Sequence, residues 1–334
     1  MKIGASGIVQ NGTGIGVLQR ELYPRLTAAG LALETSKNRD LGKGMKDRLR
    51  GMLRGFTPAR GRHDAYLSAV PPFPFFVRSP AVTIVHDLRW QNTRGALSRA
   101  YRKWDLARSV ARSRSLVCIS ARTHADLVSM FPAAQERASV AWLGPGLARR
   151  DEDTTLVERE PGVALLVGGA PHKRNELAAQ VLADPSVTRV KHVIGVGVSD
   201  EVRATLEECD QLTAEWHYGI SDDHMRDLYA RAEYFVLLSR SEGFGLPYIE
   251  ALSSGCVVIA ADQPLTQELL GDAAILCEGM DVAQLVDEIE SATVPALATR
   301  TSVSERYSWQ HFAARIESEL RATSPLARPS RSAT

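Results

Sequence analysis

The feature that most constrains this chain is an alternation that runs along most of its length and restarts once. Short apolar runs, each about one strand long, are separated by segments of helical period. The strand candidates are Lys2–Ala5, Ala65–Ser68, Val82–Val85, Ser115–Ile119, Ala138–Trp142, Val163–Val167, Val190–Val196, Ala214–His217, Tyr234–Leu238, Val257–Ala260 and Ala274–Cys277. Helical stretches lie between them, among them Ile15–Ala29, Thr123–Met130, Ser221–Ala230 and Leu246–Ser253. Strands that alternate with helices predict parallel sheets covered on both faces, and near-continuous apolar strands fit sheets buried on both sides.

The alternation pauses at residues 147–162, LARRDEDTTLVEREPG, which are charged and poor in large apolar groups and read as a linker. A new strand, VALLV, then opens a second α/β series. At 334 residues the chain exceeds one typical core and suits two domains. The expected division is a first domain over 1–150 and a second over 151–303. A helix over 304–322 carries Trp309, Phe312, Ile316 and Leu320 on one face and rejoins the first domain, and a disordered tail spans 323–334.

The formal net charge of +1 supplies no global field toward nucleic acid, so electrostatic partners must be sought in local patches. No apolar run approaches the roughly 18 residues of a membrane span, and MKIGASGIVQ lacks the apolar stretch of a signal peptide. Cys118, Cys209, Cys256 and Cys277 form neither a C-x-x-C pair nor a zinc-like cluster. A reducing cytoplasm is the expected compartment.

Four short segments carry chemistry. In Ser241–Glu250, SEGFGLPYIE, a strand runs through two glycines into a helix that starts near Leu246. Gly243 and Gly245 allow close approach to the backbone, and the helix start suits a phosphate. Glu242 and Glu250, with seven residues between them, fall at one end of the sheet, where a carboxylate can accept bonds from neighbouring sugar hydroxyls. E-x7-E alone would read as a loop glutamate and a solvated helix glutamate; Gly-Phe-Gly-Leu-Pro between them makes the pattern specific. In GGAPHKRN, Gly168 and Gly169 turn after a strand, and Lys173 and Arg174 supply adjacent cations for a pyrophosphate, with Asn175 expected to help cap the next helix. The plainer reading of that segment is a solvated basic turn. His86-Asp87 ends a buried strand at the edge where ligands of parallel sheets bind, although a lone histidine is usually structural. Finally NGTGIG, with Gly14 and Gly16, looks like a phosphate-binding turn, but Gln19 stands where a dinucleotide fingerprint needs glycine or alanine.

These four segments, in this order, resemble the retaining GT-B glycosyltransferases of the group 1, or family four, type. The likeness is close over SEGFGLPYIEALSSGCVVIAADQPLTQELLGDAAIL and patchier in the first half, carried there by TGIG, VHD, CIS and WLGPG. The resemblance implies two Rossmann-like domains with parallel sheets facing across a cleft, and transfer of a hexose or deoxyhexose with retained configuration. It places Glu250 on the nucleotide ribose and Glu242 on the donor sugar. Backbone groups of Phe244, Gly245 and Leu246 then contact sugar or phosphate, and Lys173 and Arg174 meet the pyrophosphate, in the reverse of the usual Arg-Lys order. His86 falls near the donor sugar, and Gly14 or Gly16, with Gly168, near the phosphates. A nucleotide-diphosphate sugar is the implied donor, GDP-mannose or a dTDP-rhamnose type by expectation, and a glycan, lipid-linked or small-molecule acceptor is implied. No cofactor is called for. The one Asp-x-Asp, Asp151 to Asp153, lies in the linker, so no metal site is expected. A sugar-nucleotide epimerase and a non-catalytic sugar-nucleotide-binding protein are the rival readings.

Residues 37–62 hold nine Lys or Arg against two Asp, with Met45, Leu49, Met52, Leu53 and Phe56 interleaved. Three readings stand: a peripheral contact with the inner face of the membrane, a solvated loop beside the acceptor cleft, and a site for a phosphate-bearing acceptor.

Overall fold

A computed structural model describes residues 1–9, 14–36, 53, 56–88, 95–147, 159–279 and 281–324. The chain divides into two compact units, one of residues 1–146 with 308–334 and the other of residues 147–307.

The first unit contains β1 (Lys2–Ala5), α1 (Gly14–Ala28), β2 (Ala32–Thr35), β3 (Ala65–Ser68), β4 (Ala81–Val85), α2 (Ala96–Arg112), β5 (Ser113–Cys118), α3 (Ala121–Met130) and β6 (Ala138–Val140). Its sheet is wholly parallel in the order β2-β1-β3-β4-β5-β6. The strands β3 and β4 are buried at every position, as a sheet covered on both faces requires. The second unit contains β7 (Glu160–Val167), α4 (Asn175–Leu182), β8 (His192–Val196), α5 (Asp200–Glu207), β9 (Thr213–His217), α6 (Asp222–Arg231) and β10 (Ala232–Leu237). It continues with α7 (Leu246–Ser253), β11 (Val257–Ala261), α8 (Pro264–Leu269), β12 (Ala274–Cys277), α9 (Val282–Ser291) and α10 (Leu297–Ser304). Its sheet runs β12-β11-β10-β7-β8-β9, again all parallel. One face packs Leu166, Val193 and Ile259 against α4, α5 and α9 through Val181, Val202 and Ile289.

Each sheet reverses its direction of growth once, between β1 and β3 in the first and between β7 and β10 in the second. At such a point the connections of adjacent strands diverge to opposite faces. The strand ends there leave a crevice, which is where ligands of open α/β sheets bind.

Several boundaries differ from the sequence reading. The edge strand β2 was not predicted: LALETS is short and its positions are exposed or half-buried, so no apolar run marks it. The segment expected as one helix over Ser304–Ala322 is broken. The helix α10 ends at Ser304 in the second unit, and α11 (Trp309–Thr323) begins after Ser308, whose Oγ accepts from the backbone N–H of Gln310 and His311. From there α11 buries Trp309, Phe312, Ala313, Ile316 and Leu320 against α1 and strands β3 to β5 of the first unit. The indole of Trp309 donates to the Pro145 carbonyl at 2.8 Å. An added Cβ on Gly144 would lie 2.5 Å from the Trp309 nitrogen, so only glycine admits this contact. The predicted linker also ends early, because Glu160 already belongs to β7 and pairs with Arg231. Residues 148–158, with Asp151 and Asp153, and residues 325–334 of the expected tail lie outside the described residues.

Candidate active site at the β7–β10 strand ends

The second unit brings two of the predicted segments to its reversal point. After β7, Gly168 adopts φ +83°, and an added Cβ would meet Lys173 Nζ at 2.8 Å. The chain makes a short 3-10 turn over Pro171–Lys173 and enters α4 through Arg174. Arg174 holds φ +55°, the one non-glycine residue with positive φ among the described residues. A left-handed arginine costs about 1–2 kcal/mol, and such strain collects where a ligand needs the geometry. Asn175 is the first residue of α4, not its cap. Its amide nitrogen donates to the carbonyls of Val167 and Gly168 and ties the turn to the strand end.

After β10, the chain passes Ser239, Arg240 and Glu242 to Gly245, which starts α7 at φ +77° with no side chain capping the helix. An added Cβ on Gly245 would sit 2.5 Å from the Tyr248 ring, so both backbone angle and space demand glycine. Phe244 is buried, its ring edge-on to Tyr307.

The two loops are stitched together. The Arg240 N–H donates to the His172 carbonyl at 2.8 Å. Ser239 Oγ lies 2.9 Å from Glu242 Oε1, and His172 Nε2 is 3.7 Å from the same oxygen. Gln263 Nε2 donates to the Ser239 carbonyl at 3.0 Å. Deeper in, Tyr229 Oη donates to Glu250 Oε2 at 3.1 Å, and both side chains are buried. Lys173 Nζ donates to the Val167 carbonyl at 3.0 Å. Burial lowers the Lys173 pKa, and Glu242 and then Glu250 partly restore it, so this ammonium feels both carboxylates. Arg174 is lowered by burial and by the neighbouring Arg240 guanidinium. Two like charges brought together beside Lys173 make a site whose electrostatics favour an anion. Sequence reading missed Arg240, Tyr229 and Ser239. Arg240 carried a signal, a third cation two residues before Glu242, whereas Tyr229 and Ser239 act only through the fold.

The first unit holds the other predicted residues. His86 follows β4, and its Nε2 lies 2.7 Å from the Ala69 carbonyl at the end of β3. Burial lowers its pKa against the pull of that carbonyl and of Asp87. A neutral ring that donates from Nε2 presents Nδ1 as an acceptor. The expected turn over Asn11–Gly16 is described only from Gly14 onward. Gly14 and Gly16 lie in the first turn of α1, and residues 10–13 lie outside the described residues. Gln19, which breaks the dinucleotide fingerprint, is buried and structural. Its Oε1 accepts from the Val9 N–H at 2.9 Å, its Nε2 donates to the Gly7 carbonyl and lies 2.9 Å from Tyr23 Oη, and Tyr23 Oη donates to the Ser6 carbonyl. A cavity of about 930 Å³ in this unit lies between α1 and β2, lined by Ile8, Tyr23, Pro24 and Leu33, and contains none of the predicted charged residues.

Residues 161–293, nearly all of the second unit, match the family model described as glycosyl transferases group 1. Over those residues the chain is similar to the group 1 glycosyltransferases. It is 28% identical over 177 residues to a GDP-mannose:cellobiosyl-diphosphopolyprenol alpha-mannosyltransferase of Xanthomonas oryzae, covering 49% of this chain and 40% of that one. The match therefore spans less than half the length of that curated relative. HepE of Anabaena, solved with UDP and glucose, superposes with a TM-score of 0.64 at 15% identity over 96% of this chain and all of HepE. WaaG, described as involved in lipopolysaccharide biosynthesis, gives 0.62 at 13% over 99% of this chain and 100% of its own. These likenesses establish the GT-B fold of two Rossmann-like units. Of residues 37–62, those at 37–52 and 54–55 lie outside the described residues. Among the described residues, no helix is long and apolar enough to cross a membrane.

Proposed function

We propose that this chain is a glycosyltransferase that moves a hexose, mannose from GDP-mannose in the first instance, to a hydroxyl of a glycan or lipid-linked acceptor with retention at the sugar. The observation that carries the reading is the meeting of Lys173, Glu242 and Glu250 at the β7–β10 reversal point, where one ammonium senses both carboxylates. Glu250, fixed by Tyr229, accepts from the ribose hydroxyls, and Glu242, held beside Ser239, accepts from hydroxyls of the donor sugar. Lys173, Arg174 and Arg240 neutralise the charge that grows on the departing diphosphate, with backbone groups from Phe244 to Leu246 and the turn at Gly168 beside them. His86 serves as a hydrogen-bond acceptor toward the sugar. No carboxylate is assigned as a covalent nucleophile: the leaving phosphate takes the proton of the acceptor hydroxyl on the face it departs from. The choice of mannose is supported by the names of the curated relatives, which are mannosyltransferases.

Calorimetry with GDP, UDP and dTDP tests the donor, with and without chelator. GDP should bind tightest, and chelator should leave its affinity unchanged. Tighter binding of UDP or dTDP overturns the choice of base, and binding that requires added magnesium or manganese overturns the assignment of diphosphate charge to the three cations. An inverted anomeric configuration in the product, read by NMR, overturns retention.

A further inference from the structure

His172 is a titratable side chain of the donor loops to which the proposed chemistry gives no task. It lies in the 3-10 turn between Gly168 and α4. Its backbone is pinned: the carbonyl accepts from the Arg240 N–H at 2.8 Å and lies 3.1 Å from Ser239 Oγ. Its imidazole stands clear of the core. The side chain is 40% exposed, so the ring adds little apolar burial and the fold has small need of it. What the ring faces is Glu242, with Nε2 3.7 Å from Oε1.

Glu242 is the group that gains from such a neighbour. Its side chain is 11% exposed, and a Cβ built on Gly245 would lie 3.6 Å from its own Cβ. The root of the side chain is therefore packed, and the freedom that remains is rotation of the carboxylate, a soft torsion in glutamate. That rotation decides whether a sugar hydroxyl finds an oxygen to donate to. Ser239 Oγ is 2.9 Å from Oε1, but a hydroxyl has one proton, and the His172 carbonyl is within its reach as well. One shared donor leaves the planar group free to turn. A second donor on the same oxygen stops it.

The imidazole supplies that donor. A carboxylate only accepts, so the ring nitrogen that faces it carries a proton. At 3.7 Å the pair lies beyond hydrogen-bond length, and catalytic hydrogen bonds are often long until a ligand binds. The other groups around the carboxylate are engaged elsewhere. Lys173 acts on it through charge, with Nζ held at the Val167 carbonyl. Tyr248 Oη donates to the Leu237 carbonyl at 3.0 Å, and Glu250 takes its bond from Tyr229.

We propose that His172 is a positioning residue for the donor sugar: its Nε2–H closes on Glu242 Oε1 when donor binds and, with Ser239, fixes the carboxylate in the orientation that receives the sugar hydroxyls. This role rests on Glu242 being the residue on the donor sugar, and does not depend on which base is carried.

Paired affinities test it. Calorimetry on the full chain gives dissociation constants for a nucleoside diphosphate and for its mannose and glucose conjugates, with the base that binds tightest. The ratio of conjugate to free diphosphate isolates the sugar. H172F keeps a ring and removes the donor, whereas H172Q returns an N–H near the place of Nε2. H172F should move the ratio against the conjugate about tenfold, which is about 1.4 kcal/mol and the scale of one hydrogen bond. It should leave the free diphosphate and the melting temperature as in wild type, and H172Q should restore most of the ratio. E242A should move the ratio at least as far, and H172F added to E242A should move it no further. A ratio that E242A shifts and H172F does not overturns the role of His172 and leaves that of Glu242 standing. So does an H172F effect that persists beside E242A, or one that H172Q fails to relieve, since either makes the ring an independent or structural contact. A ratio that E242A itself leaves unchanged, or a wild type that binds no nucleoside diphosphate, overturns the reading of Glu242 and the role of His172 with it.

Discussion

The two reversal points of this molecule share a topology and differ in what fills them. Between β7 and β10 the strand ends carry charge: Lys173 and Arg174 after β7, and Arg240, Glu242 and Glu250 after β10. Between β1 and β3 the described residues form a neutral network. Gln19 holds the backbone at Gly7 and Val9, Tyr23 reaches the Ser6 carbonyl, and Ser6 Oγ accepts from the Ala69 N–H at 3.2 Å. The first crevice keeps groups that can exchange partners with a ligand. In the second, the described polar groups bond to one another. One architecture thus yields a charged edge or a neutral edge, depending on the side chains placed there.

Substitutions can break this contrast. The largest effect is expected from Glu242→Ala, which should lower the rate about 10²–10³-fold, as loss of one transition-state contact does, with nucleotide affinity little changed. Next, Glu250→Ala should weaken nucleotide binding about 10–100-fold, the range for a lost hydrogen bond to a charged group, and should leave the rate at saturation nearer to wild type. Titration calorimetry and steady-state kinetics separate the two, and equal effects of both variants on rate and affinity would erase the division of roles.

In the neutral network, Gln19→Ala strips partners from the buried Val9 N–H and Gly7 carbonyl. It should cost about 1–3 kcal/mol of stability in urea and leave nucleotide affinity as it was. A loss of affinity to match Glu250→Ala would show that the β1–β3 edge binds donor after all. Arg174→Gly gives a smaller and opposite signature. Relief of a left-handed arginine, about 1–2 kcal/mol, exceeds the entropic cost of glycine, about 0.5–1 kcal/mol. The variant should therefore melt slightly higher while binding nucleotide less tightly, and a lower melting point would refute the strain.

The smallest effect concerns His86. Its folded pKa is depressed by burial, so the unfolded chain takes up a proton that the folded chain resists. The stability from the neutral ring is complete above about pH 6.5, the ordinary histidine value, and is lost as the pH falls toward the depressed folded value. Melting curves of wild type and His86→Gln should converge in slope above that pH and part below it, with the variant the flatter; parallel curves would show that His86 titrates normally.

What could be read from the sequence follows the same division. The charged edge is made by two contiguous stretches, GGAPHKRN and SEGFGLPYIE, in which strand, glycine turn and helix start lie within a few residues. Local chemistry there announces itself. The neutral edge joins Ser6, Gln19, Tyr23 and Ala69 across separations that no spacing rule spans. In the sequence Gln19 stands only as a departure from a glycine pattern. The edge strand β2 escaped because it has no buried face to leave an apolar period.

The return of α11 to the first unit has a consequence for the order in which the molecule is made. The strands that α11 covers leave the ribosome early, yet residues 147–307, all of the second unit, must be translated before Ser308 is reached. At about 5–20 residues per second, the first sheet waits on the order of 10 s or more with the bed of Trp309, Phe312 and Ile316 unfilled. The unit synthesised first is thus the last to close. During that interval its apolar floor is open to misassociation.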